Sequence, residues 1–128
     1  MAEGVVLDSS ALLCLLNDEP GVARVAAALP NAAISAVNLS EAVAKLRERG
    51  LSAVEVRAAL AGLSLDVRPF AGEQAYAAGD LRPATRALGL SLGDRACLAL
   101  AAELGQPALT ADRDWSKLEL GIEIEVVR

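Results

Sequence analysis

The first apolar run, Gly4-Val5-Val6-Leu7, is continuous rather than alternating and stops at Asp8. A strand buried on both faces of a parallel sheet reads this way, because neither face meets water. After it, Ser10 to Leu16 places Leu12, Leu13 and Leu16 on one side of a short helix, closed by the turn residues Asn17-Asp18-Glu19-Pro20-Gly21. A second helix is predicted over Val22 to Leu29, stopped by Pro30, and a short strand over Ala32 to Ser35. Val37 to Arg49 is clearly helical: Val37 and Ala44, and Val43 and Leu46, recur at spacings of seven and three, and Gly50 follows as a C-cap. Ser52 caps the next helix, which runs to about Ala61.

Ser64 to Arg68 alternates apolar and polar residues, so a strand nearer the sheet edge is expected, stopped by Pro69. Gly72 to Leu88 is Ala-rich and helical, with Pro83 as a point of division because proline removes a helix hydrogen bond. Gly93 to Leu104 directs Cys97, Leu98, Leu100, Ala101 and Leu104 inward and ends at Gly105. Pro107 to Thr110 is a short strand, Asp112 to Trp115 opens one helical turn with Trp115 as a core plug, and Ile122 to Val127 alternates like a strand with one solvated face. Strands thus alternate with helices along the chain. That pattern predicts an α/β fold in one domain, residues 1–128, with a mainly parallel sheet of four to five strands and helices on both faces.

Composition refines this picture. Hydrophobic residues make up 54% of the chain and aromatic ones 2%, so the core is built from Ala, Leu and Val, and small side chains let helix and sheet approach closely. The surplus of apolar residues also leaves surface for a partner. Cys14 and Cys97 lie in apolar helical patterns and read as small buried hydrophobes of a reducing compartment. No basic segment precedes an apolar one at the N-terminus. The uncharged stretch from Val25 to Ser40 is interrupted by Pro30, Asn31 and Asn38 and is shorter than the roughly 18 residues of a membrane span. A soluble, cytoplasmic protein with no membrane partner is therefore expected.

Charge narrows the chemistry. The chain has no histidine, which excludes a Ser-His-Asp or Cys-His nucleophile and histidine zinc sites. A net charge of −5 argues against broad electrostatic adhesion to nucleic acid, so nucleic-acid chemistry would need metal ions and local basic patches. Parallel topology brings four acids to one edge of the sheet. Asp8 ends the first strand, Asp112 follows the strand ending at Thr110, Glu41 sits early in the helix after the second strand, and Asp94 lies in the first turn of a helix that runs back to a strand start. Each also has a local reading: Asp8 and Asp112 as helix N-caps, Asp94 as a partner of the helix dipole, and Glu41 as an ion-pair partner of Lys45. Two like charges about 4 Å apart repel by about 4 kcal/mol at an effective dielectric of about 20. Carboxylates sharing a pocket must therefore protonate, separate or bind a cation, and oxygen ligands suit Mg2+ or Mn2+.

The stretches VVLDSSALLCLLNDEPG, SAVNLSEAVAKLRERG, LSLGDRACLALAAELG and ALTADRDWSKL, in this order and spacing, resemble the PIN domain family, and specifically the VapC-type ribonuclease toxins of toxin-antitoxin pairs. The resemblance covers essentially the whole chain. It implies a Mg2+- or Mn2+-dependent endoribonuclease with Asp8, Glu41, Asp94 and Asp112 as its four acidic catalytic positions. Asp8, Asp94 and Asp112 would be the metal ligands, Glu41 would orient the attacking water, and Ser9 and Thr110 would support the acids. The implied partners are an RNA substrate, a small antitoxin whose tail blocks the active site, and a second copy in a homodimer. Arg47, Arg49, Arg95 and Arg113 adjoin the acids in sequence as candidates for phosphate contact. Two other readings compete. A phosphatase using Asp8 as nucleophile would carry a second acid two residues on, where this chain has Ser10. A regulatory module would use the acids only to hold a cation.

Overall fold

The computed structural model describes residues 4–128. Five strands form one sheet in the order β3-β2-β1-β4-β5, with β1 at Val5–Leu7, β2 at Ala32–Ser35, β3 at Asp66–Arg68, β4 at Ala108–Thr110 and β5 at Ile124–Val126. All four pairings are parallel. β1 lies between β2 and β4, with Leu7 opposite Ile34 on one side and Leu109 on the other. Its unbroken apolar run follows from that position. Val5 and Leu7 enter one core cluster with Leu12, Val25, Ile34 and Leu109, and Val6 enters another with Cys97, Leu98, Leu100, Ala108 and Trp115.

The helices fall on the two faces accordingly. α1 (Ser9–Leu16), α2 (Val22–Ala28), α3 (Ala36–Glu48) and α4 (Ala53–Ala61) connect β1 to β2 and β2 to β3, and their apolar residues join the first cluster. α5 (Gly72–Asp80), α6 (Arg82–Thr85) and α7 (Leu92–Leu104) connect β3 to β4, and α7 supplies much of the second cluster. The expected division of the 72–88 region occurs at Leu81. Pro83 then falls in the first turn of α6, where its missing N–H breaks no helical bond. α7 begins in a capping box between Ser91 and Asp94 and ends at Gly105, whose φ of 63° is the left-handed conformation glycine adopts without strain.

β2 is short and half alanine, yet all of its residues are buried. Its alanines leave room for α3 and α7, which both pack against it. The edge strands differ: β3 is exposed and β5 half-buried, in keeping with their alternating sequences. Cys14 and Cys97 are free and buried, and Trp115 is fully buried beneath the last loop. Among the described residues no helix is long and apolar enough to cross a membrane.

Candidate active site

In this strand order the chain winds outward from β1 in both directions, so its topological switch lies between β1 and β4. At such a switch point neighbouring loops leave an open α/β sheet in opposite directions, and the crevice beyond the strand ends is where such sheets bind ligands. Asp8 stands at that point, only 2% exposed. Its backbone N–H still belongs to the sheet, donating to Leu109 O, while its side chain caps α1 by accepting from Ala11 N at 2.8 Å. The Ser10 hydroxyl lies 2.8 and 2.9 Å from the two carboxylate oxygens, and Thr110 Oγ1 donates to Oδ2 at 2.5 Å. The cap expected from sequence and the site position are therefore the same side chain. Three donors on a carboxylate with about four acceptor sites leave capacity for about one more partner.

The two hydroxyls also bind the opposite loop. Ser10 Oγ accepts from Ala111 N at 2.9 Å, and Thr110 Oγ1 accepts from Asp112 N at 3.0 Å. Thr110 thus stands beside Asp8, and the serine hydrogen-bonded to the acid is Ser10. Among the described residues no hydrogen bond joins the Ser9 side chain to the acids.

Burial sets the electrostatics. Loss of solvent pushes the Asp8 carboxyl up to about 6, against the lowering effect of its hydrogen bonds to Thr110, Ala11 and Ser10, and the charge of Asp94 adds to the rise. Cys97 lies within the field of the same acids. Burial raises its thiol well above the usual range, and the charges of Asp8, Asp94 and Glu41 raise it further, so it is an inert neutral thiol under the site.

Glu41 projects from the second turn of α3 toward the start of α7. Its Oε1 accepts from Asn38 Nδ2 at 3.2 Å, and the same Nδ2 donates to Gly93 O at 3.0 Å. The pairing with Lys45 suggested by the sequence is not formed among the described residues. Asp94 lies next to Gly93, and its Oδ2 accepts from Ser91 N at 2.9 Å in the capping box. Asp112 is exposed and caps the 3-10 turn Arg113–Lys117, accepting from Asp114 N at 3.0 Å. The Asp114 side chain itself pairs with Lys117 at 3.1 Å on the surface.

The arginines divide. Arg95 donates to Ala78 O at 3.0 Å and ties α7 to α5, and Arg47 donates to Leu51 O at 3.3 Å, so both serve the scaffold. Arg49 and Arg113 remain exposed. Asn38 and Gly93 were missed as site residues by sequence reasoning, because the bonds that give them a role join segments far apart in the chain.

The acids do not close into a ligand cluster: among the described residues no group of three Asp, Glu or Cys side chains is close enough to hold a metal ion unaided. The side chains of Asp94 and Asp112 instead cap the starts of their own helices. The donor set nevertheless fits a hard divalent cation that takes one or two carboxylates and completes its shell with water. Asp8 carries the fit, since a buried carboxylate with a raised pKa and one free acceptor site gains most from a neighbouring positive charge.

A parallel α/β sheet with a buried acid at its switch point and further acids on the flanking loops and helix starts defines the class of protein. The model for the PIN domain matches residues 5–120, and the chain belongs to that family. No curated protein matches the chain. Its fold is shared by a toxin-antitoxin complex from Klebsiella pneumoniae, with a TM-score of 0.76, 19% identity and 98% of each chain covered. DNA-bound VapBC from Salmonella typhimurium gives 0.75 at 20% identity, covering 99% of this chain and 100% of the other. VapBC2 from Rickettsia felis, bound to a promoter DNA fragment, gives 0.74 at 15% identity over 98% of each chain.

Proposed function

We propose that this chain is a divalent-metal-dependent endoribonuclease and the toxin of a toxin-antitoxin pair. The observation that carries this reading is the buried Asp8 carboxylate at the β1/β4 switch point, held by Ser10, Thr110 and Ala11 and within the field of Asp94. Membership of the PIN family and the fold shared with VapBC complexes support it.

Asp8, Asp94 and Asp112 would hold Mg2+ or Mn2+. When bound, the ion supplies Lewis-acid activation of water and of the phosphoryl group. Around it, Ser10 and Thr110 fix the Asp8 carboxylate and tether the Ala111 and Asp112 backbone N–H groups respectively, so the two acids keep their spacing. Glu41, aimed at the start of α7, orients the attacking water and takes up its proton. Arg49 and Arg113 are the exposed cations available to RNA phosphates.

The partner reading rests on a separate feature. An open groove of about 690 Å³ lies between α3, α4 and β3, lined by Leu39, Val43, Val56, Leu60, Leu65 and Val67, with Arg47 and Arg57 on its walls. It suits an apolar segment of a small antitoxin flanked by acidic residues. A homodimer and a cytoplasmic location belong to the same reading; light scattering of the purified chain and fractionation of cells test them.

The deciding experiment is cleavage of RNA by the purified, antitoxin-free chain. Activity is expected with Mg2+ or Mn2+, lost in excess chelator and lost in Asp8→Asn. Persistence in chelator overturns the reading, and metal binding without hydrolysis of any RNA favours a regulatory cation-binding module. The phosphatase alternative lacks its second acid: position 10 is a serine whose hydroxyl is bonded to Asp8.

A further inference from the structure

Asn38 is fully buried, yet only half of its amide is satisfied: Nδ2 has two acceptors, while Oδ1 has no hydrogen-bond partner among the described residues. Packing alone would favour an apolar residue there, since α3 already buries Ala42 and Leu46. What the amide uniquely supplies is a pair of N–H donors aimed at two acceptors on different elements. One is the Glu41 carboxylate, one turn further along α3, and the other is the backbone carbonyl of Gly93 at the start of α7.

Gly93 completes the arrangement. A Cβ built on it would overlap both Glu41 carboxylate oxygens, so the carboxylate rests on the bare Cα of the residue preceding Asp94. Glu41 has no Lys45 ion pair to hold it elsewhere. Its direction is therefore set by a donor on one side and by the missing side chain on the other.

We propose that Asn38 is a positioning residue that holds the Glu41 carboxylate against Gly93, beside Asp94, and that Gly93 is the seat for that carboxylate. The catalytic part of this inference rests on the nuclease reading above. The placement itself does not.

A double-mutant cycle tests it. Asn38→Leu removes both donors while filling a similar volume, and is expected to lower kcat for RNA cleavage about 10- to 50-fold with little change in KM. In a Glu41→Ala background the same substitution should change the residual kcat less than about twofold, because its effect passes through Glu41. Gly93→Ala should displace the carboxylate and reproduce the loss. Should Asn38→Leu fail to fold, Asn38→Ala carries the same cycle.

A second readout needs no activity. In the intact chain the Asn38 side-chain N–H resonances should be protected from solvent exchange, and they should shift in Glu41→Ala and in Gly93→Ala. Equal losses in both backgrounds, or Asn38 resonances indifferent to Glu41, overturn the proposal. If the wild-type chain cleaves no RNA, the nuclease reading fails, and the resonances alone decide whether Asn38 positions Glu41.

Discussion

The crevice between β1 and β4 and the groove between α3, α4 and β3 share one helix and differ in nearly every other respect. In the crevice a few polar groups are held rigidly: Asp8 accepts from Ser10, Thr110 and Ala11, and Glu41 accepts from Asn38. The groove is a broad apolar surface with two arginines on its walls. α3 serves both, turning Asn38 and Glu41 toward α7 and Leu39, Val43 and Arg47 toward the groove. Chemistry needs fixed direction, which hydrogen bonds provide. Docking needs apolar area, which a helical stripe provides. A helix with a 3.6-residue period can supply both from one stretch of sequence.

If the two regions are functionally separate, substitutions should separate them. The largest effect is expected at Asp8: Asp8→Asn should lower RNA cleavage by at least about a thousand-fold while circular dichroism shows an unchanged fold. Retained cleavage would remove the crevice from the chemistry.

The same substitution should act on stability with the opposite sign. The folded-state pKa of Asp8 is raised from 3.8 to about 6, so the folded chain binds the proton more tightly than the unfolded one. The resulting stability is fully present below the unfolded value and is lost as pH rises through about 6. Metal-free protein should accordingly melt at higher temperature near pH 5 than near pH 7.5, so far as Asp8 decides it. Asp8→Asn should recover up to a few kcal/mol at the higher pH and little at the lower. Thermal melts of both proteins at the two pH values check this, and a gain independent of pH would assign the effect to packing.

Mg2+ sharpens the comparison further. Saturating Mg2+ should raise the melting temperature of the wild-type chain near pH 7.5 and have little effect on Asp8→Asn, because ligand binding to the folded state alone stabilises it. Equal shifts in both would place the cation away from the crevice.

In the groove, Val43→Glu should weaken binding of the proposed antitoxin about 10- to 100-fold, or about 1.4 to 2.8 kcal/mol, with cleavage by the free chain nearly unchanged. Calorimetry paired with the cleavage assay checks both halves. Equal loss of activity would mean that the two faces of α3 are coupled.

The smallest effect should come from a pair that belongs to neither region. Arg24 and Glu125 meet at 2.5 Å on the surface, and Arg24→Ala should cost no more than about 1 kcal/mol in denaturant melts, with cleavage and binding untouched.

Much of this architecture was readable from local pattern. The continuous run before Asp8 marks a central strand, the alternation in Ser64–Arg68 and Ile122–Val127 marks the two edges, and Gly105 marks the end of α7. Parallel connections then oblige a residue after a strand, or at the start of a returning helix, to lie at one edge of the sheet. That is why Asp8, Glu41, Asp94 and Asp112 are expected at one edge before any coordinates.

Tertiary structure decided what local pattern cannot carry. The choice of Ser10 over Ser9 beside Asp8 depends on where the α1 start faces Thr110, a hundred residues away. The roles of Asn38 and Gly93 depend on α3 and α7 meeting, and the raised pKa of Asp8 depends on its burial in the folded chain. Periodicity reports which face of one element is apolar. Hydrogen-bond partners and desolvation are properties of the faces that meet it, and these exist only once the chain has folded.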